Sequence, residues 1–155
     1  MEAEKSYFFR PYTSDDVSFI HSSWGKSYFS GACYNLSYSP QELEEFHRPL
    51  RDKFFASPTA TVIICASKEE PTLIIGWIAV ENANIFTLHY VYVKSVFKDE
   101  GIALDMIKAV VPEGPVIYTH LTEKAHKILL RRKDQFRNFY PAPYLLFTHC
   151  MRRKE

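Results

Sequence analysis

The chain has 155 residues, 46% of them hydrophobic and 15% aromatic, and a net charge of +1. That length suits a single domain, 1–155, with a core of ordinary size. The near-neutral balance gives no global pull toward nucleic acid or membrane. Three cysteines, Cys33, Cys65 and Cys150, are widely spaced, show no metal-ligand spacing and fit a reduced, cytoplasmic setting. Met1 runs into Glu2, Ala3, Glu4 and Lys5 rather than an apolar segment, so no signal peptide is expected. No apolar run approaches a membrane-spanning length. With 12 Phe and 10 Tyr, either the core is rich in rings or a groove is lined with them.

Residues 7–12, YFFRPY, read as a first strand stopped by its proline. Thr13 with Asp16 has capping-box spacing, and Val17, Ile20, Trp24 and Tyr28 then share a helical face. Residues 31–38 form a loop. Ser39, Pro40 and Glu42 make a strong helix start, and Leu43, Phe46, Leu50 and Phe54 form its apolar face. Pro49 inside that pattern predicts a kink or a split. His47, Arg48 and Arg51 on this helix read first as solvated charges, and otherwise as groups that meet a substrate. Residues 59–66 and 73–81 are strands rich in apolar and β-branched side chains, joined by a short polar turn as an antiparallel hairpin. Gly76 within the second strand predicts a bulge or a close backbone approach.

Residues 88–93, LHYVYV, form the strand that organises the rest. Leu88, Tyr90 and Tyr92 alternate with His89, Val91 and Val93. A charged loop follows to Glu100, and Gly101 opens a helix whose apolar face is Ile102, Met106, Ala109 and Val110. A strand, a glycine-bearing loop and a helix start suit phosphate, because first-turn N–H groups are free and the helix dipole favours an anion. Beyond a Pro-Glu-Gly-Pro break, residues 116–119 are a strand. Thr119 or Thr122 caps a helix through Ala125, Ile128 and Leu129, closed by Arg131, Arg132 and Lys133. Residues 135–143 are aromatic and irregular, and residues 144–150 form a last strand.

Lys98-Asp99-Glu100-Gly101-Ile102-Ala103, placed after Tyr90-Val91-Tyr92-Val93, resembles motif A of the GNAT superfamily, the Gcn5-related N-acetyltransferases. Residues 19–28 further resemble small phage-encoded members. The resemblance implies an α/β fold, a central mixed and mostly antiparallel sheet of six or seven strands flanked by about four helices. It implies acetyl-CoA as cofactor, lodged where the strand at 88–93 splays from the strand at 116–119. Main chain of Val91, Tyr92 and Val93 would hold the arm, and Lys98, Asp99, Glu100, Gly101, Ile102 and Ala103 the pyrophosphate. Lys98 stands where the family has Arg or Gln, and Asp99 and Glu100 bring negative charge to the loop.

Acetyl transfer to an amine needs a base, a donor for the oxyanion and an acid for the leaving thiolate. Glu81 is the first candidate base by family position, and His89, with an unperturbed pKa near ~6.5, is the alternative. The family's late-helix tyrosine is replaced by Leu129. Tyr140 could substitute, or could pack against Phe136 and Phe139. The expected function is N-acetyl transfer to an amine of a small molecule or protein. The alternative is an inactive GNAT-fold protein that binds a protein partner. A nucleic-acid surface at Arg131 to Tyr140 trails both at this charge. A homodimer is the default assembly.

Overall fold

The computed structural model describes residues 4–31, 39–98, 101–120 and 122–142. Among them lie six strands and four α-helices. In chain order these are β1 (Tyr7–Pro11), α1 (Val17–Gly31), α2 (Pro40–Ala56), β2 (Ala60–Ser67), β3 (Ile74–Asn82), β4 (Phe86–Val93), α3 (Ile102–Val110), β5 (Val116–Tyr118), α4 (Glu123–Arg131) and β6 (Phe139–Pro141). The strands form one sheet in the order β1-β2-β3-β4-β5-β6. The first three pairings are antiparallel and the last two parallel. The expected α/β fold with a mixed sheet and four helices is therefore observed. The strand expected over 144–150 lies outside the described residues, and β6 occupies part of the stretch read as irregular.

Local chemistry explains the helix starts. The Asp16 carboxylate accepts from Thr13 N–H at 2.8 Å and binds Arg10 at 2.8 and 3.1 Å, so one acid both caps a 3₁₀ turn and ties it to β1. At α2, Glu42 N–H donates to Ser39 Oγ and Ser39 N–H donates back to Glu42, with Pro40 in the first turn. Helix α2 runs through Pro49 without splitting. Thr122, not Thr119, caps α4, accepting from Ala125 N–H at 3.1 Å.

The sheet has apolar layers on both faces. Ile20, Trp24 and Tyr28 of α1, with Phe54 of α2, pack on Val62, Ile64, Trp77, Ala79 and Tyr90. On the other face Ile102 and Met106 of α3 cover Cys65, Ile75, Ile78, Val80 and Leu88. Ala109, expected in the buried stripe of α3, is exposed. Gly76 has the reason its position predicted: an added Cβ would overlap the Tyr92 carbonyl oxygen and sit 3.2 Å from Val93 Cα. A glycine in β3 lets the end of β4 lie close.

Simple alternation along β4 breaks at His89. Ala79 pairs with Tyr90 while the next residue, Val80, pairs with Leu88, so His89 is the extra residue of a β-bulge. Leu88 therefore packs in the α3 layer and Tyr90 in the α1 layer, although residues two apart in a regular strand share a face.

Candidate active site

Strands β4 and β5 pair only from Phe86 to Leu88, against Val116 to Tyr118. A last main-chain bond runs from Thr119 N–H to Leu88 O at 3.2 Å. Beyond the bulge the strands part, and Tyr90 to Val93 have no β5 partner. A cleft of about 650 Å³ fills the gap. That volume lies within the range of ordinary ligand sites. One wall is Tyr90, Val91, Tyr92 and Val93 of β4, and another is Ala103 and Ile107 of α3. Ala125, Ile128 and Leu129 of α4 face them, and Ser23, Lys26, Ser27 and Ser30 of α1 close the other side. Lys26, Lys98 and Lys124 are its charged lining groups among the described residues.

The start of α3 has the geometry that favours an anion. Gly101 is left-handed, with φ of 75°, and Asp105 N–H makes the first intrahelical bond to Gly101 O at 3.0 Å. The amides of Ile102, Ala103 and Leu104 precede that bond. A Cβ on Gly101 would meet nothing within 4 Å, so backbone conformation, not crowding, calls for glycine here.

Of the residues singled out by sequence, the structure gathers Val91, Tyr92, Val93, Lys98 and Ala103 around the cleft. Ile102 turns its side chain into the core. Asp99 and Glu100 lie outside the described residues. Glu81 and His89 meet: Glu81 Oε1 and His89 Nε2 are 3.0 Å apart. His89 lines the cleft, whereas Glu81, half exposed at the end of β3, also accepts from Ser57 and Thr59 at 2.9 Å each. Tyr140 is an exposed residue of β6 and is not part of the cleft lining. The phenols at the cleft are Tyr90, Tyr92 and Tyr118. Burial pushes Tyr90 up to about 12, which keeps its hydroxyl protonated beside Ser27 Oγ at 2.7 Å.

Sequence reasoning missed a chain of buried polar groups behind His89. His89 Nδ1 is 2.9 Å from Thr119 Oγ1, which is 2.8 Å from His120 Nδ1. His120 Nε2 is 2.8 Å from His47 Nε2, and His47 Nδ1 is 2.6 Å from an Arg51 amino group. Arg51 also donates to Glu44 and, through Nε, to His21 Nδ1 at 3.0 Å. His47 and Arg51 are each 1% exposed, so their reading as solvated charges is corrected; Arg48 alone of the three is exposed. The signal available was their i, i+4 spacing on the face that carries Leu50 and Phe54.

The two ends of this chain set its direction. Arginine can only donate and an ionised carboxylate can only accept. Arg51 thus donates to His47 Nδ1, His47 Nε2–H to His120 Nε2, His120 Nδ1–H to Thr119, Thr119 to His89 Nδ1, and His89 Nε2–H to Glu81. Each imidazole is neutral in one tautomer. Burial, then Arg51 and His21, holds His47 down to about 3, and burial first holds His120 well below the usual range. Burial outweighs Glu81 in lowering His89. For Glu81, burial pushes upward, but bonds from His89, Ser57 and Thr59 keep it below the ordinary glutamate value.

No protein-family model matches this chain, and no curated protein matches it in sequence. Solved structures do share its fold. A GCN5-related N-acetyltransferase from Ralstonia eutropha superposes with a TM-score of 0.58 at 13% identity, over 81% of this chain and 90% of that one. A predicted acetyltransferase from Clostridium acetobutylicum, crystallised with acetyl-CoA, superposes at 0.56 with 12% identity over 81% and 87%. A ribosomal-protein-alanine N-acetyltransferase from Brucella melitensis superposes at 0.53 with 10% identity over 81% and 90%. The mixed six-stranded sheet with its four helices is the GNAT fold, which this chain has.

Proposed function

We propose that this protein is an acetyl-CoA-dependent N-acetyltransferase that moves an acetyl group to an amine of a small molecule or protein. One observation carries the reading: the β4 edge from Tyr90 to Val93, paired with β3 but beyond the β5 pairing, and the Gly101-led start of α3 face one cleft that begins at the bulge at His89. An extended acyl-pantetheine arm has the length and amide groups to pair with a free strand edge. A pyrophosphate suits the amides of the α3 first turn, in a cleft whose lining carries Lys98 and Lys124. Acetyl-CoA supplies the activated thioester. In this reading Val91, Tyr92 and Val93 orient the arm, residues 98–103 hold the phosphates, and Glu81 with His89 manages the amine's proton.

The test is thermal unfolding with acetyl-CoA. A ligand at a hundred times its dissociation constant adds roughly 2.7 kcal/mol, or about 5–10 °C for a domain of this size. Gly101→Glu places a carboxylate in open space at the helix start and should abolish the shift while the fold survives. A midpoint unmoved at millimolar acetyl-CoA sinks the proposal.

The inactive, partner-binding alternative rests on Leu129 lining the cleft where the family carries a tyrosine, with Tyr140 elsewhere. Coenzyme binding without turnover on any amine would favour it. We place the protein in the cytoplasm on its cysteine usage: Cys65 is buried and free, and burial pushes its thiol up to about 12. No helix among the described residues is long and apolar enough to cross a membrane. A homodimer completes this reading as the usual symmetric assembly.

A further inference from the structure

We infer that His120, not His89 or Glu81, receives the acceptor's proton, and that Thr119, His89 and Glu81 form a relay carrying it out of the cleft to the half-exposed carboxylate. The inference rests on the acetyltransferase reading above and names the proton path of that same site.

Three observations lead there. First, both ring nitrogens of His89 are engaged within the relay itself, Nδ1 accepting from Thr119 and Nε2 donating to Glu81, whereas Nε2 of His120 is held by His47 of α2, outside the relay. Second, Glu81 is the carboxylate of the chain but does not line the cleft, while His120 does. Third, the direction fixed by Arg51 and Glu81 is the direction a proton must travel to leave the cleft. The His120 ring stands among Trp24, Tyr28 and Tyr90, with ring centres at 5.3, 4.7 and 6.0 Å. That apolar setting keeps the imidazole neutral, and releasing Nδ1–H as Nε2 is protonated avoids a buried imidazolium. Its Nε2 is held by His47 Nε2–H, 2.8 Å away on α2. In the proposed relay an incoming amine displaces the buried His47 from that nitrogen, with α2 acting as the stopper.

The step balances as follows. The neutral amine's lone pair forms the new C–N bond, and the thioester C–S bond breaks with its pair on sulfur. The surplus proton on nitrogen passes to His120 Nε2. His120 Nδ1–H passes its proton to Thr119 Oγ1, Thr119 passes its own to His89 Nδ1, and His89 Nε2–H passes its own to Glu81 Oε1. Both imidazoles end neutral in the opposite tautomer. One proton has left the amine and one has arrived at Glu81, which returns it to water. His120, Thr119 and His89 reset by ring and hydroxyl reorganisation.

The test joins a spectroscopic and a kinetic readout. Nitrogen-15 NMR of the imidazoles at pH 7 should show the proton on Nε2 of His47, on Nδ1 of His120 and on Nε2 of His89. A different tautomer, or an imidazolium, at any of the three overturns the relay whatever the activity. Thiol release from acetyl-CoA is then measured with a panel of primary amines, and with water as the default acceptor. Thr119→Val keeps the shape and removes the bridging hydroxyl, and should lower kcat at least about 100-fold, the scale of acid–base catalysis. Thr119→Ser should restore it to within about threefold of the unaltered protein. Thr87→Val, a buried threonine outside the relay, controls for packing. A solvent-isotope proton inventory should curve, reporting several protons in flight, and become linear in Thr119→Val. Thiol release in the unaltered protein no faster than in Thr119→Val overturns the relay. Loss of acetyl-CoA binding in the unaltered protein is a separate result, and it sinks the transferase reading itself.

Discussion

Acid should loosen this fold well above the pH at which its carboxylates titrate. His47 is buried, donates to His120 and accepts from Arg51, with His21 also near and Glu44 and Asp52 on the outer side of that arginine and histidine. Its native value of about 3 lies below the ~6.5 of an unfolded chain. Between those values the unfolded state binds the extra proton, so stability rises with pH and is lost as pH falls through 6.5. Integrated from pH 7.5 to 5.5, His47 alone contributes a loss of roughly 1.4 kcal/mol. His21, His89 and His120 are shifted in the same direction and add to it. The lowered carboxylates Asp16, Glu81 and Asp105 lose their contribution only below about pH 4.5, outside this window. Urea unfolding at pH 7.5 and 5.5 reads the difference. With a slope near 2 kcal/mol/M, the midpoint should fall by at least about 0.7 M. His47→Gln should be less stable at pH 7.5 and show a smaller fall. A midpoint that stays put between the two pH values would refute the neutral, buried histidine chain.

Other outcomes follow from single contacts. Gly76→Ala should destabilise by about 1–3 kcal/mol in urea and weaken acetyl-CoA binding, because the new methyl group meets the Tyr92 main chain, which cannot step aside as a side chain would. Arg51→Met should cost roughly 3 kcal/mol, since it leaves His47 and His21 without their donor; Glu44, partly exposed, recovers water and adds little. Glu81→Gln should preserve the acetyl-CoA thermal shift and cut thiol release, because an amide oxygen can accept the His89 hydrogen bond but cannot take up the proton. Trp77→Phe should cost about 1–2 kcal/mol by removing the indole N–H that donates to Ser23 Oγ at 2.9 Å and leaving a smaller ring in a fully buried site, while Ser23 keeps its bond to the Phe19 carbonyl, with calorimetry as the readout.

What the sequence disclosed was local, and what it concealed depended on distant partners. The helix start at Ser39 and the hairpin of β2 and β3 each follow from a few neighbouring residues, whereas the cap of α4 stayed open between Thr119 and Thr122, and Gly76 between a bulge and a close approach, until the structure placed them. The glycine at 101 was legible for the same reason: a left-handed residue between a strand and a helix is a one-residue requirement. The bulge at His89 was not, because alternating Leu88, Tyr90 and Tyr92 read equally well as one regular face. Only pairing with Val80 and Ala79 shows that a residue is inserted. The histidine chain was concealed more deeply. Its members come from α2, β3, β4 and the end of β5, separated by 73 residues between His47 and His120 and 30 between His89 and Thr119. A charged residue on an amphipathic helix reads as solvated unless its buried partners are known, and here they are contributed by three other segments.

The bulge and the buried chain are one structural event. An inserted residue turns Tyr90 toward α1 and leaves Leu88 toward α3, so β4 changes faces at His89. The twist that this adds carries β4 away from β5, whose last main-chain bond to it is Thr119 to Leu88. At and just past that last rung, Thr119 and His120 turn their side chains inward, where His89 meets one and His47 the other. The same insertion therefore opens the strand edge that would hold a thioester arm and brings together the groups that would handle a proton beside it. A deletion of His89 should close both at once: β4 would pair further along β5, the cleft would shrink, and acetyl-CoA would no longer raise the unfolding midpoint. Retained binding in that deletion would show that the cleft does not depend on the bulge.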